Sequence, residues 1–239
     1  MGIDLGLADF AITHDGEKTS KYANPKHLAK HEKNLARKQK KLARKQKGSN
    51  RSNKAKKIVA RVYERLCNVR QDFLHKLSRK IINDNQVVVV ENLNVKGMVC
   101  PSGTLRERNH KLALAISDTG WGTFTNFLAY KLEKEGKVLI EINRWFPSSK
   151  TCSQCHYQIS ELPLDVREWA CPSCGTRHDR DENAAKNIRA EGIRWLLSSG
   201  TGDSASRGDV RPNRGRKPKT RQSPTNLEAP TIPLAVGGG

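Results

Sequence analysis

The 239-residue chain reads as a mixed α/β protein with a basic helical hairpin in its front part and a paired-cysteine metal site before its last helix. Three observations predict this. Short apolar or β-branched segments (GIDLGL, VVVVENLNV, KVLIEINRW) stand between long stretches with helical spacing. Residues 26 to 57 hold fourteen Lys or Arg against one acid, Glu32. Two CxxC pairs lie within residues 152 to 174.

Residues 2 to 20 read as a hairpin. An apolar strand passes through Asp4, a second runs near Phe10 to Thr13, and Asp15-Gly16 supplies turn chemistry. In the basic stretch LARKQKK (35 to 41) is followed by LARKQKG (42 to 48), so Leu28, Leu35 and Leu42 make a thin apolar stripe on one helix. Gly48-Ser49-Asn50 ends it. A second helix is expected from about Ala55 to Ile82, with Ile58, Val62, Leu66, Val69, Phe73 and Leu77 three or four apart, and the two should pair as a hairpin.

The valine run ending at Glu91 has the β-branching and length of a buried strand. An amphipathic helix follows from about Trp121 to Glu135, then an alternating strand over 137 to 145, then the cysteines, then a helix from about Asn183 to Leu197. Beyond Gly200 the chain has no aromatic residue and five of its ten prolines, the composition of a disordered basic tail.

Charge points to the partner. Lys and Arg number 44 against 24 Asp and Glu, a net +20 with a pI near 10.0. Such an excess predicts a polyanion, and nucleic acid before a membrane surface, because no apolar run is long enough to span a bilayer. MGIDLGLADF has neither a basic-then-apolar leader nor the Ser or Thr of a myristoylation signal. A cytoplasmic setting follows, in which cysteines stay reduced and paired spacings mean metal. Within the basic helix Arg37, Lys38, Arg44 and Lys45 are expected to contact phosphate rather than bases, since no aromatic residue stands among them.

Cys152-Ser-Gln-Cys155, fifteen residues, then Cys171-Pro-Ser-Cys174 forms two knuckles that can close a tetrahedral thiolate shell around Zn²⁺. A closed shell leaves no open position, so this zinc is structural. Cys67 and Cys100 have no such spacing.

Three acids suit a harder cation. Asp4 lies between Ile3 and Leu5, where a charge is costly without a counterion. Glu91 ends the valine strand, and Asp181 opens the last helix, where an acid is also a common cap. Together they can converge on Mg²⁺ or Mn²⁺, and two such ions about 4 Å apart support phosphodiester cleavage.

GIDLGL, VVVVENLNV and HDRDENAAKNI, with the cysteine array before the last, closely resemble TnpB, the transposon-encoded OrfB family of RNA-guided nucleases ancestral to type V CRISPR effectors. The resemblance covers residues 2 to about 197. It implies a RuvC-like, RNase H-like fold with Asp4, Glu91 and Asp181 as metal-binding catalytic acids and the cysteines as an inserted zinc ribbon near them. Asp181 rather than Asp179 matches the family's position two residues before Asn183, leaving Asp179 as a cap or supporting group. The implied division is 1–148 and 176–199 for the nuclease domain, 149–175 for the ribbon and 200–239 for the tail.

Family members carry an N-terminal half that reads guide RNA and a short target-adjacent motif. Here Met1 stands almost on the first strand, which implies an N-terminally truncated member, whether by nature, by a mis-called start or by cutting, with a separate N-terminal half as one candidate partner. The expected activity is metal-dependent DNA cleavage, guided by RNA in the complete family member, with DNA and guide RNA as partners. The alternative is a nucleic-acid-binding truncated or regulatory form without efficient cleavage. A transposase joining strands itself ranks last, because no tyrosine nucleophile has a distinctive setting.

Overall fold

The computed structural model describes residues 1–99 and 110–200, so Cys100 and the tail beyond Gly200 lie outside it. The elements in order are β1 (Gly2–Leu5), β2 (Asp9–His14), β3 (Thr19–Ala23), α1 (His27–Ala43), α2 (Asn50–Asn83), β4 (Val87–Glu91), α3 (Val95–Val99), α4 (His110–Thr119), α5 (Trp121–Lys134), β5 (Val138–Ile142), β6 (Glu168–Ala170), β7 (Arg177–Asp179) and α6 (Arg180–Gly200).

The first five strands to enter the main sheet have the order β3-β2-β1-β4-β5. β1, β2 and β3 form an antiparallel meander, whereas β4 runs parallel to β1 and β5 parallel to β4. The expected two-stranded hairpin is therefore three-stranded. Asp15 and Gly16 turn β2 into β3, with Asp15 Oδ1 accepting from the Glu17 and Lys18 N–H groups at 2.8 Å. β3 went unpredicted because TSKYA is half solvent-facing and carries no apolar alternation. β1 is central, hydrogen-bonded on both edges, and Met1 O accepts from Val89 N–H at 2.8 Å, so Asp4 is held firmly despite its place in the sequence.

One sheet face packs on α2 and α5 through Ile3, Phe10, Leu74, Leu77, Ile81, Val88, Val90, Phe124 and Leu128, all buried. Burying each such side chain stabilises by about 1.5–3 kcal/mol before entropy is counted. Phe10 meets Phe73 and Phe124 edge-on at 5.2 and 5.1 Å. The opposite face carries α6, whose Ile188 packs on Val89 and Ile142.

α1 and α2 pair as the expected hairpin, with Leu35 buried between them. α2 starts five residues earlier than its apolar stripe suggests, because Ser49 Oγ caps it by accepting from Ser52 N–H. Its distal half serves only α1: Ile58 and Val69 remain exposed, and Leu74, Ile81 and Ile82 take the core positions instead. α1 begins on Lys26, which offers no side-chain cap, and Asp118 of α4 supplies one. Asp118 Oδ2 accepts from Leu28 N–H and its Oδ1 from Arg70 Nη2, both at 2.8 Å. No described helix is long and apolar enough to cross a membrane.

Candidate metal centres

β6 and β7 form a separate two-stranded sheet beside the cysteines, continuing as far as Asp179. Each knuckle is a tight turn. His156 N–H donates to Cys152 O at 2.9 Å with His156 in the left-handed region, and Gly175 N–H donates to Cys171 O at 2.8 Å with Gly175 at φ 72°. The four sulfur atoms of Cys152, Cys155, Cys171 and Cys174 lie within 4.8 Å of one another, with Cys152–Cys174 at 3.7 Å and Cys155–Cys171 at 3.5 Å. A tetrahedron with 2.3 Å Zn–S bonds has edges of about 3.8 Å, so the donor set fits Zn²⁺. His178 Nε2 stands 3.0 Å from Cys152 Sγ, and its ring lies 4.9 Å from that of Trp169. Cys67 is exposed and apart from this cluster.

The acids converge through sheet register and helix placement. Ile3 pairs with Val90 in the parallel β1–β4 ladder, so Asp4 stands level with Glu91 one residue on. Side chains alternate, so both acids share the face of Gly2 and Val89, beneath α6. That helix lies close against the sheet. A Cβ on Gly2 would fall 2.3 Å from Ala185 O, and one on Gly192 would fall 2.3 Å from a Val89 methyl. One turn back along α6, about 6 Å, is Asp181, and two residues forward along β1, about 6.6 Å, is Asp4. The helix therefore delivers its first-turn acid to the strand ends.

The electrostatics report the same gathering. Burial pushes the Asp4 carboxyl up to about 8, reinforced by the charges of Glu91 and then Asp181 and opposed by Arg180. Glu91 is raised by burial and moderated by the hydroxyl of Ser148, which donates to its Oε1. A buried Asp4 carboxyl repelled by Glu91 and by the part-exposed Asp181 is what a divalent cation relieves, so this donor set suits Mg²⁺ or Mn²⁺.

Several supporting residues were not found from the sequence. Asn183 and Asn187, four apart on α6, reach the segment leading into the first knuckle. Asn187 Nδ2 donates to the carbonyls of Ser148 at 2.7 Å and Thr151 at 2.6 Å. Asn183 Nδ2 donates to Thr151 O at 2.7 Å, and its Oδ1 accepts from Ser153 N–H at 3.0 Å. The i, i+4 asparagine pair in ENAAKN was the available signal. Arg167, next to β6, bridges Asp181 Oδ2 at 3.1 Å. Asp179 is the helix cap, its Oδ1 accepting from the Asp181 and Glu182 N–H groups at 3.0 and 3.1 Å. Lys21 of β3 ties Asp179 and Glu182 together at 2.9 Å each.

Arg37 and Lys38 lie on α1, Arg37 exposed and Lys38 half-buried. Arg44 and Lys45 are exposed but fall past the helix, which ends at Ala43. The second heptad copy thus does not stay helical: Lys45 N–H closes a tight turn on Leu42 O at 3.0 Å ahead of Gly48.

Residues 1–100 match the OrfB_IS605 family profile, described as "Probable transposase", and residues 121–188 match the "Cas12f1-like, TNB domain" profile. A candidate RNA-guided DNA endonuclease of Streptomyces pristinaespiralis is 43% identical over 214 residues, covering 90% of this chain and 48% of the relative. InsQ of Escherichia coli K12, described in the same terms, is 32% identical over 200 residues, covering 80% and 48%. A TnpB-like protein, L79 of Acanthamoeba polyphaga mimivirus, is 29% identical over 198 residues, covering 81% and 37%. The chain thus spans about half or less of the length of these relatives. A chain from the cryo-EM structure of the Cas12f1–sgRNA–target DNA complex superposes with a TM-score of 0.55 at 20% identity, over 78% of this chain and 37% of that one.

Proposed function

The chain belongs to the OrfB (TnpB) family of transposon proteins, and on that premise we propose that it holds the metal-dependent DNA-cleaving domain of an RNA-guided endonuclease. The supporting observation is the convergence of Asp4, Glu91 and Asp181 from two neighbouring parallel strands and an overlying helix. The sheet order β3-β2-β1-β4-β5, antiparallel then parallel, with acids at adjacent strand ends, supports an RNase H-like, RuvC-type reading of the fold. Residues 1–148 and 176–199 are assigned to that nuclease domain and 149–175 to its zinc ribbon. Guide RNA and target choice are properties proposed for the full-length protein.

In this reading Asp4, Glu91 and Asp181 hold Mg²⁺ or Mn²⁺, which supplies charge neutralisation at the scissile phosphate and an activated water. Ser148 keeps the Glu91 carboxylate oriented through its hydroxyl. Arg167 and the Asp179 cap fix the start of α6, so that Asp181 faces the strand ends. The Cys152, Cys155, Cys171 and Cys174 ribbon, held by Zn²⁺, carries both Ser148's neighbours and Arg167 against the acids. Arg37, Lys38, Arg44 and Lys45 bind backbone phosphate.

The test is cleavage of single- and double-stranded DNA with Mg²⁺ or Mn²⁺, by wild type, Asp4→Ala and Asp181→Ala. Metal-dependent cutting should be lost, by a hundredfold or more on the general scale of catalytic-group removal, in both variants. Equal activity in wild type and Asp181→Ala rejects the site.

A further inference from the structure

Three of the four tryptophans sit within packed or half-covered surroundings, and one does not. Trp121 and Trp169 are buried at 5% and 9% exposure, whereas Trp145 presents 82% of its surface to water. Isolated surface hydrophobics are ordinary. What distinguishes Trp145 is the turn that carries it and where that turn lies.

The turn leaves the C-terminal end of β5. Ile142 pairs with Glu91 across the β4–β5 ladder, so residues 143 to 148 run over the same sheet edge as the acids. The turn is also pinned. Asn143 Oδ1 accepts from Trp145 N–H at 3.0 Å, and Asn143 O accepts from Phe146 N–H at 3.0 Å. Ser148 N–H donates to Phe146 O at 2.8 Å. Phe146 turns inward onto the Val89, Ile142 and Ile188 cluster, while its neighbour faces out. Three residues after Trp145, Ser148 touches Glu91, and three residues of chain reach at most about 10 Å. The exposed indole is thus carried on an ordered turn whose backbone lies within about 10 Å of the residue that touches Glu91, and its chain neighbour Arg144 is exposed as well.

An exposed indole face in a strongly cationic protein suits one ligand chemistry above others. A nucleobase stacks on it irrespective of sequence, and the base must be unpaired to offer its face. We propose that Trp145 is a stacking platform for an unpaired DNA base of the strand that enters the corner of Asp4, Glu91 and Asp181. This rests on the nuclease reading above. Arg144 would steady the adjoining phosphate, and the platform would favour a strand already separated from its complement.

The test measures binding of a labelled twelve-nucleotide oligothymidylate to the full chain carrying Asp4→Asn, so that the DNA stays intact. Trp145→Ala, Trp145→Leu and Trp145→Phe are compared on that background. The Ala and Leu variants should bind about fivefold to a hundredfold more weakly and the Phe variant nearly normally, the range expected for one stacked base. All four proteins should bind an abasic strand of the same length equally and with the same salt dependence, and their zinc content and melting temperature should agree. Normal binding by Trp145→Leu, or an equal loss on the abasic strand, overturns the platform while leaving the nuclease reading intact. Failure of every protein to bind DNA overturns both.

Discussion

Asn187 Nδ2 lies 2.7 Å from the carbonyl oxygen of Ser148, and the Ser148 hydroxyl in turn donates to Glu91. One helix that opens with Asp181 therefore also fixes the residue that orients Glu91. The same amide donates to Thr151 O at 2.6 Å, immediately before the first zinc ligand. The four-cysteine cluster and the acids share a hydrogen-bonded hinge.

Asn187→Ala should destabilise the domain by about 2–3 kcal/mol, because the buried Ser148 carbonyl loses its short donor and Thr151 O keeps only Asn183. A fall in melting temperature of about 5–10 °C is expected for a domain of this size. Faster zinc release to a chromogenic chelator should accompany it. Unchanged melting and unchanged zinc release would show that these hydrogen bonds hold neither the cysteine ribbon nor the acids in place.

Metal analysis should find one Zn²⁺ per chain in freshly purified reduced protein, and cobalt substitution should give thiolate-to-metal charge-transfer bands. Cys171→Ser should raise hydrogen exchange across residues 150 to 182, because the Arg167–Asp181 bridge and the Asn183 contacts depend on the ribbon. Protection elsewhere in the main sheet should be unchanged.

The pH dependence of the metal-free protein should expose Asp4. Its carboxyl is held up to about 8 by burial and by Glu91 and Asp181, against an ordinary 3.8. Between those values the unfolded chain has released a proton that the folded chain retains, so stability falls as pH rises. Asp4→Asn removes that loss. At pH 8 the metal-free variant should melt about 5–10 °C above wild type, with the difference shrinking toward pH 4. Mg²⁺ or Mn²⁺ should raise the melting temperature of wild type and not that of the variant.

Replacing Arg37, Lys38, Arg44 and Lys45 together by Gln should weaken DNA and RNA binding without changing sequence preference. If each contacts one phosphate, the slope of log affinity against log salt should lessen by about 3 units. An unchanged slope would mean that this face of the hairpin stays in solvent.

Local chemistry explains how much of this was legible. CxxC spacing closes its own knuckle within a few residues, so the four ligands are readable without any tertiary information. The valine run is apolar on both faces because α2 and α5 cover one side of the sheet and α6 the other, and that composition alone marks a strand buried on both sides. Asp4 and Glu91 declare themselves as charges within such segments. Gly48-Ser49-Asn50 declares the hairpin turn.

Other features depend on partners far away in the chain. Ser148, Asn183, Asn187 and Arg167 look like ordinary polar surface until α6 crosses β1 at Gly2 and meets the ribbon. Leu74, Ile81 and Ile82 displaced Ile58 and Val69 from the core because only about the last third of α2 reaches the sheet. A helical stripe reveals which residues can be buried, but not how far along the helix a neighbour exists to bury them. The sequence by itself marked the candidate ligands and the strands that carry Asp4 and Glu91. The tertiary structure decided which side chains hold those ligands in place, because hydrogen bonds across 30 to 60 residues leave no periodicity behind.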